Sequence, residues 1–198
     1  MKTLAKTVFA TVLSVVVLTS SAMTTLAADS TEVVTVKNNF NKIWVSGNVK
    51  IVLTQGKKEG VSVDNQFNPE KTSISSVGQT LYVNTTETEQ VTILVSVKDL
   101  QRIQAAGNAE VVTANKLDVK YLQVFLSQSA KAKINTRAGS LYTVINDDAK
   151  LKMSGLAGEY TLVASNMKNV KYTDFISFDK GQNGSEILLN GNRVAASK

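Results

Sequence analysis

The 198-residue sequence predicts an all-β fold in which coils of about 20 residues stack on one another as a β-solenoid. Three observations predict it. One short pattern recurs five times, apolar and polar residues alternate with a period of two, and Gly, Asn, Asp, Gln or Ser stands at the centre of each copy. Because each coil of a solenoid buries its apolar face only against its neighbours, a short regular period is typical of this fold.

The repeated pattern reads apolar, small or polar, any residue, polar, apolar or small, and then usually charged. Its five copies begin at Val45, Ala105, Leu126, Ile145 and Val163. These first residues lie 60, 21, 19 and 18 positions apart, so the first gap has room for two less regular copies. A β-sandwich is the alternative fold, but it gives no reason for a turn pattern that recurs at this spacing.

The N-terminal part is less regular than the rest. Apolar and β-branched runs predict strands at 33–36, 42–45, 49–54, 61–63, 80–84 and 91–97, some of which have room to pair as hairpins. Pro69, the only proline, lies in a polar stretch that predicts a loop over 65–71. Further along, a third short strand per coil is predicted at 117–119, Gly139 predicts a turn, and the tail 176–194 is expected to cap the end of the stack.

The alternation predicts which side chains face the core. The residues expected in stacked, buried rows are Val45, Ile51, Leu126, Ile134, Ile145, Leu151 and Val163. Between the two strands of each copy, small polar residues suit a sharp corner because they tolerate left-handed backbone or bond to nearby backbone groups. Stacking would align them into a polar corner ladder that contains Asn108, Ser129, Asp148 and Asn166.

Aromatic residues recur at positions predicted to face outward just before each corner. They are Trp44, Phe125, Tyr142 and Tyr160. An exposed aromatic stripe is typical of a surface that binds a partner, and flat rings stack on sugars or on protein side chains. Two alternatives stay open: a terminal segment of the chain covers the stripe, or the assignment of inward and outward positions slips by one residue.

The N-terminus has the layout of a secretory signal peptide. Lys2 and Lys6 precede an apolar run over 8–18, and a stretch of small residues follows it. We therefore predict a signal peptide over 1–27 and a single domain over 28–198. An N-terminal membrane anchor is the alternative, but the run is shorter than the 20 or so residues that span a bilayer. Without any Cys the chain has no site for a lipid anchor, so we expect an exported protein of the periplasm, cell surface or medium, with no membrane span after cleavage.

The composition restricts the available chemistry. With no His and no Cys, the chain lacks the usual general base, the thiol nucleophile and the soft metal ligands, so we expect no cofactor and no metal site. Asp147 and Asp148 are adjacent in sequence, which favours a turn over an acid and base pair. The alternative is a carbohydrate-active, polysaccharide lyase-like β-helix, for which Arg102 stands at a strand position where it could act.

Charge also limits the partners. Removal of Lys2 and Lys6 with the signal peptide lowers the net charge from +6 to +4, and the basic residues do not form runs, so no nucleic-acid site is expected. The sequence therefore favours a non-catalytic binding module of the cell envelope that recognises a glycan or a cell-surface protein. Oligomerisation is left open.

One segment resembles a known family. The run 40–47, followed by Gln55-Gly56, Leu81-Tyr82-Val83 and Gly107, is similar to the opening of the head GIN domain family, whose members are described as putative auto-transporter adhesins exported by bacteria. The likeness extends from about Phe40 to about Phe175. It implies a right-handed β-helix-like fold and an adhesin, and it brings no catalytic residues. A true autotransporter also carries a barrel of eight or more strands, which nothing after Tyr172 could supply.

Overall fold

Alternating apolar and polar residues form strands through nearly all of the chain that the computed structural model describes, residues 32–34, 39–63 and 68–178. The strands are β1 (Glu32–Val34), β2 (Lys42–Ser46), β3 (Val49–Gln55), β4 (Gly60–Val63), β5 (Thr72–Val77), β6 (Thr80–Thr85), β7 (Val91–Val97), β8 (Arg102–Ala106), β9 (Glu110–Thr113), β10 (Leu117–Leu126), β11 (Lys131–Ile145), β12 (Lys150–Ala164) and β13 (Val170–Ser177). A 3-10 turn at Met167–Asn169 is the only helix in these residues, so the all-β prediction is confirmed. The signal peptide predicted over 1–27, and the part of the predicted cap beyond Phe178, lie outside the described residues.

All thirteen strands belong to one mixed sheet. In the described residues nine strand pairs are parallel and three are antiparallel. The parallel pairs join successive copies of the repeat: Arg102 of β8 lies opposite Gln123 of β10, and Lys131 of β11 lies opposite Lys150 of β12. These offsets of 21 and 19 residues confirm the predicted spacing.

The predicted right-handed, parallel β-helix-like solenoid is not confirmed, because the strands are partly antiparallel in the N-terminal part. Strand β5 forms an antiparallel hairpin with β6, and β4 lies antiparallel to both β1 and β7. Chain order and spatial order also differ there, since β6 pairs with β2 on one side and β8 pairs with β2 on the other. The expectation of hairpins in this less regular region is therefore confirmed.

The core consists of apolar rows that run across the strands. One row joins Val45, Ala105, Leu126 and Ile145 in register, and Ala164 continues it on β12. All seven residues predicted to be buried in such rows are buried. In each row a side chain packs against the equivalent side chains of the strands on either side. A change in the volume of one side chain therefore alters the packing of the neighbouring strands.

The last copy of the repeat is shifted by one residue from its prediction. Ala164, rather than Val163, lies opposite Ile145, and Leu162 lies opposite Thr143. Leu162 is therefore a core residue, 3% exposed, although a copy that begins at Val163 would place it at an outward position. The physical reason is that Leu162 and Val163 are both apolar, so the alternation fits either phase and packing against β11 decides between them.

Gly139 was expected to mark a turn, but β11 continues through it. A Cβ at this position would lie 2.7 Å from the backbone oxygen of Lys120 on the neighbouring coil. Glycine is required here because the two neighbouring strands approach closely, and the predicted turn is wrong. At the surface nearby, Arg137 donates a hydrogen bond to Asp118 and holds the pKa of that carboxyl below its ordinary value.

Candidate functional site

The corner between paired strands separates two outer surfaces of the sheet. Left-handed backbone occurs at this corner in successive coils, at Gly47, Gly107, Gln128 and Asp147, which have φ values of 93°, 69°, 59° and 55°. The side chains of the last two connect coils: Asp147 Oδ2 accepts a hydrogen bond of 2.9 Å from the backbone N–H of Gln128, and Gln128 Oε1 accepts one of 2.6 Å from the N–H of Gly107. The corner is thereby held by a ladder of side chain to backbone bonds.

The residues predicted to form the polar corner ladder do not lie at these left-handed positions. Asn108, Ser129 and Asp148 each follow the left-handed residue and are exposed. Asn166 instead caps the 3-10 turn, where its side-chain oxygen accepts a hydrogen bond of 3.0 Å from the N–H of Lys168. In two copies, therefore, the side chain that joins neighbouring strands at the corner belongs to the residue before the predicted one. Of the predicted residues, Ser129 joins them through its backbone N–H, which donates a hydrogen bond of 3.1 Å to the backbone oxygen of Gly107.

Before the corner, outward-facing residues form two parallel columns. The first column is Tyr82, Trp44, Gln104, Phe125 and Val144, and the second is Thr80, Lys42, Arg102, Gln123 and Tyr142. Both columns occupy the positions that alternate with the buried rows. We call this surface the aromatic face and define it by Trp44, Tyr82, Arg102, Phe125 and Tyr142.

Contacts within the aromatic face keep its rings in place. The ring centroids of Trp44 and Tyr82 are 6.0 Å apart, and so are those of Phe125 and Tyr142. Between the two pairs, the Arg102 guanidinium lies 5.3 Å from the centroid of Phe125, a cation-π contact. Arg102 Nε and Nη2 also donate hydrogen bonds of 2.9 and 2.7 Å to Gln123 Oε1. A long, flexible cation is thus fixed above a ring.

The aromatic face remains accessible in the described residues. Tyr82 and Tyr142 are 38% and 37% exposed, whereas Trp44 and Phe125 are half-buried. A groove of about 360 Å³ borders the second column and is lined by Lys42, Gln101, Arg102, Tyr121, Leu122, Gln123, Ser140 and Tyr142. It combines hydrogen-bonding groups, two cations and two phenol rings, which is a suitable chemistry for a polyhydroxylated or polar ligand.

The structure brings together three of the four predicted aromatic residues. Trp44, Phe125 and Tyr142 lie on the aromatic face, but Tyr160 does not. Because of the register shift, Tyr160 lies opposite Leu141 and packs partly against the core. Its hydroxyl is 3.2 Å from that of Tyr172, and its ring centroid is 5.1 Å from that of Phe175, so it belongs to an aromatic cluster at the end of the stack.

Two aromatic residues at this surface were not predicted as site residues. Tyr82, on the aromatic face, alternates with the buried Leu81 and Val83 and could have been found from that alternation. Tyr121, which is 55% exposed, lines the groove beside the face and precedes the repeated pattern of its copy, which begins at Leu126. In the described residues no cluster of three or more His, Cys, Asp or Glu side chains has an arrangement that could hold a metal ion.

These features define an all-β domain whose single mixed sheet carries a polar and aromatic outer surface. A family profile described as "Putative auto-transporter adhesin, head GIN domain" matches residues 39–178. The chain therefore belongs to the head GIN domain family. A search of curated protein sequences gives no match.

Solved structures share this fold at low sequence identity. A protein described as a putative adhesin from Bacteroides fragilis is similar with a TM-score of 0.59 and 16% identity, covering 74% of each chain. A putative lipid binding protein from Parabacteroides distasonis has a TM-score of 0.55 and 13% identity, also over 74% of each chain. A putative adhesin from the same organism has a TM-score of 0.50 and 15% identity, covering 75% of this chain and 76% of the other. At such identities the likeness concerns the fold.

Proposed function

We propose that this protein is an exported, non-catalytic binding module of the cell envelope, an adhesin that holds a glycan or protein ligand on its aromatic face. The observation that carries the proposal is the face itself: four aromatic rings and a fixed guanidinium on adjacent parallel strands, next to a groove of about 360 Å³. Rings with one accessible side stack on sugar rings and on protein side chains. The adhesin description of the family and of two similar structures supports the same function.

The local chemistry favours binding over catalysis. In the lyase-like alternative Arg102 would act as a base, but here its guanidinium is engaged by Gln123 and Phe125. Asp148 lies at the corner rather than beside this arginine. Release of unsaturated or reducing ends from a polysaccharide, abolished by changing Arg102 or Asp148, would favour the enzyme instead.

An exported location fits this function. The signal peptide predicted over 1–27 would direct the chain to the periplasm, cell surface or medium, and the lack of cysteine excludes a cysteine-linked lipid anchor. Among the described residues no helix has the length and apolar character needed to cross a membrane. The ligand would then be met outside the cytoplasm.

Trp44 provides an intrinsic probe, because it is the only tryptophan of the chain and lies on the aromatic face. We expect a glycan or protein array to retain the protein without turnover, and we expect the retained ligand to change Trp44 emission on titration. Phe125→Ala and Tyr142→Ala should each weaken binding about fivefold, since stacking by a single ring contributes about 1 kcal/mol.

The matched control is Phe178→Ala, which removes an aromatic ring that is 63% exposed and lies outside the aromatic face. It should leave affinity within about twofold of the parent, a difference below 0.5 kcal/mol or so. Equal losses in Phe178→Ala and Tyr142→Ala, with both variants folded, would show that the aromatic face is not the binding surface.

A further inference from the structure

Lysine side chains cover the sheet surface that follows the corner. Lys131 and Lys133 lie on β11, Lys150 and Lys152 lie on β12, and Lys171 lies on β13. All five are exposed, whereas the residue between the two lysines of each pair is buried. With Lys168 of the 3-10 turn they form what we call the lysine face. It lies after the corner, and the aromatic face lies before it.

Register places these lysines directly opposite one another. Lys131 pairs with Lys150, and Lys133, Lys152 and Lys171 form a continuous row. Adjacent strands are about 4.8 Å apart, and like charges at directly opposed positions destabilise a sheet. The arrangement therefore opposes folding, and a ligand that supplies negative charge would relieve it.

In the described residues little counter-charge accompanies the lysine face. Glu110 is the one carboxylate residue of the adjoining groove, at the edge of the face, where it lies in register between Lys50 and Lys131. In residues 39–63 and 68–178 the only ion pair joins Arg137 and Asp118. The ammonium groups of the lysine face thus remain available to a partner.

The lysine face borders an open groove of about 400 Å³. Six of its ten lining residues are lysine, and the other four are Glu110, Ala132, Leu151 and Asn169. None of these ten is aromatic, so the groove offers no ring on which nucleic-acid bases could stack, nor an apolar wedge that would enter a lipid interface. None is arginine, so the groove also lacks the planar fork that recognises phosphate or carboxylate bidentately.

We propose that the lysine face binds a linear acidic polysaccharide through its carboxylate or sulfate groups. The lysines stand in rows across three neighbouring strands, so a chain lying along the stack would meet a cation at each coil. Point charges on flexible stems suit a polymer whose acidic groups recur at intervals rather than a single rigid anion. This surface is separate from the aromatic face, and the inference does not depend on that face being a binding site.

The test measures binding of the purified protein to polygalacturonate and to heparin, with neutral dextran as the uncharged comparison. Lys133→Gln/Lys152→Gln removes two of the three charges of the row, and Lys57→Gln/Lys58→Gln removes two exposed charges between β3 and β4. The first variant should lose at least tenfold in affinity, and its slope of log affinity against log salt should fall by about two. The second should stay within about twofold.

Further arms identify the partner class. Lys133→Arg/Lys152→Arg should retain binding because the charge is kept, and Lys133→Gln/Lys152→Gln should melt no lower than the parent, since removal of opposed charges relieves repulsion. Equal losses of affinity in the two Gln variants would show that net charge alone determines binding, and would overturn the proposal. So would absence of binding to both acidic polysaccharides, or tighter binding at equal salt to single-stranded DNA or to phosphatidylserine vesicles.

Discussion

Leu126 offers a direct test of the stacked core. Its side chain is 1% exposed at the end of β10, between Ala105 of β8 and Ile145 of β11. Replacing it with Asp removes the apolar contacts of a leucine, which costs about 2–5 kcal/mol in comparable cores. It also places a carboxyl group in an apolar row, at a further cost of several kcal/mol even if the group protonates.

These two contributions together approach the whole stability of a domain, which is about 5–15 kcal/mol. We therefore expect Leu126→Asp to show no cooperative thermal unfolding when followed by far-UV circular dichroism, and Ile145→Asp to behave in the same way. The control is Gln104→Asp, which introduces the same side chain at an exposed, outward position of β8. It should change stability by no more than about 0.5 kcal/mol. A Leu126→Asp protein that melts within about two degrees of the parent would refute the buried row.

Two further changes probe individual positions of the stack. Gly155→Ala should lower the free energy of unfolding, measured by denaturant titration, by about 3 kcal/mol or more, because φ at this residue is 102° and an added Cβ would overlap the backbone of the neighbouring strand. The control is Gly60→Ala, where a Cβ would meet nothing within 4 Å and the free energy of unfolding should change by less than 1 kcal/mol or so. Thr143→Val should raise the free energy of unfolding by about 1 kcal/mol, because the threonine hydroxyl is buried without a hydrogen-bond partner in the described residues. A lower denaturant midpoint for this variant would show that the hydroxyl forms a hydrogen bond in solution.

Much of the fold could be predicted because its coils repeat. Spacings of 21 and 19 residues between copies in the sequence became strand registers with the same offsets, and alternation identified the buried rows. The error in the last copy arises where Leu162 and Val163 are both apolar. A constant coil length of 19 residues would have placed the copy at Ala164 and moved Tyr160 from the outer surface to its half-buried position.

The antiparallel part was harder to predict from local patterns. Strand β5 has weak alternation and is mostly exposed, but only two residues separate it from β6, and Gly78 there has a φ of 59°. A two-residue loop containing Gly was the available hairpin signal. The spatial order of β6, β2 and β8 could not be inferred from the sequence. These three strands carry the same pattern of buried and outward residues, so any of them could pair with another.

The candidate surfaces were predicted unequally for a related reason. Aromatic residues at outward positions can be recognised one at a time, and three of the four named from the sequence lie on one outer surface. The lysines could not be recognised in this way, because basic residues that are scattered in sequence become neighbours only after the strands pair. Net charge counts such residues but contains no information on their register.

The corner keeps the two surfaces apart and makes their roles separable. The aromatic face is richest on β6, β2, β10 and the part of β11 before the corner, whereas the lysine face lies on β11, β12 and β13 after it. The hydrogen bonds of Gln128 and Asp147 fix the backbone between them. In the described part of the chain no hydrogen bond, ion pair or ring contact joins residues of the two faces, so their substitutions should add in free energy. Tyr142→Ala can therefore act as a folded, binding-impaired control for the lysine variants, and the lysine variants can do the same for the aromatic face.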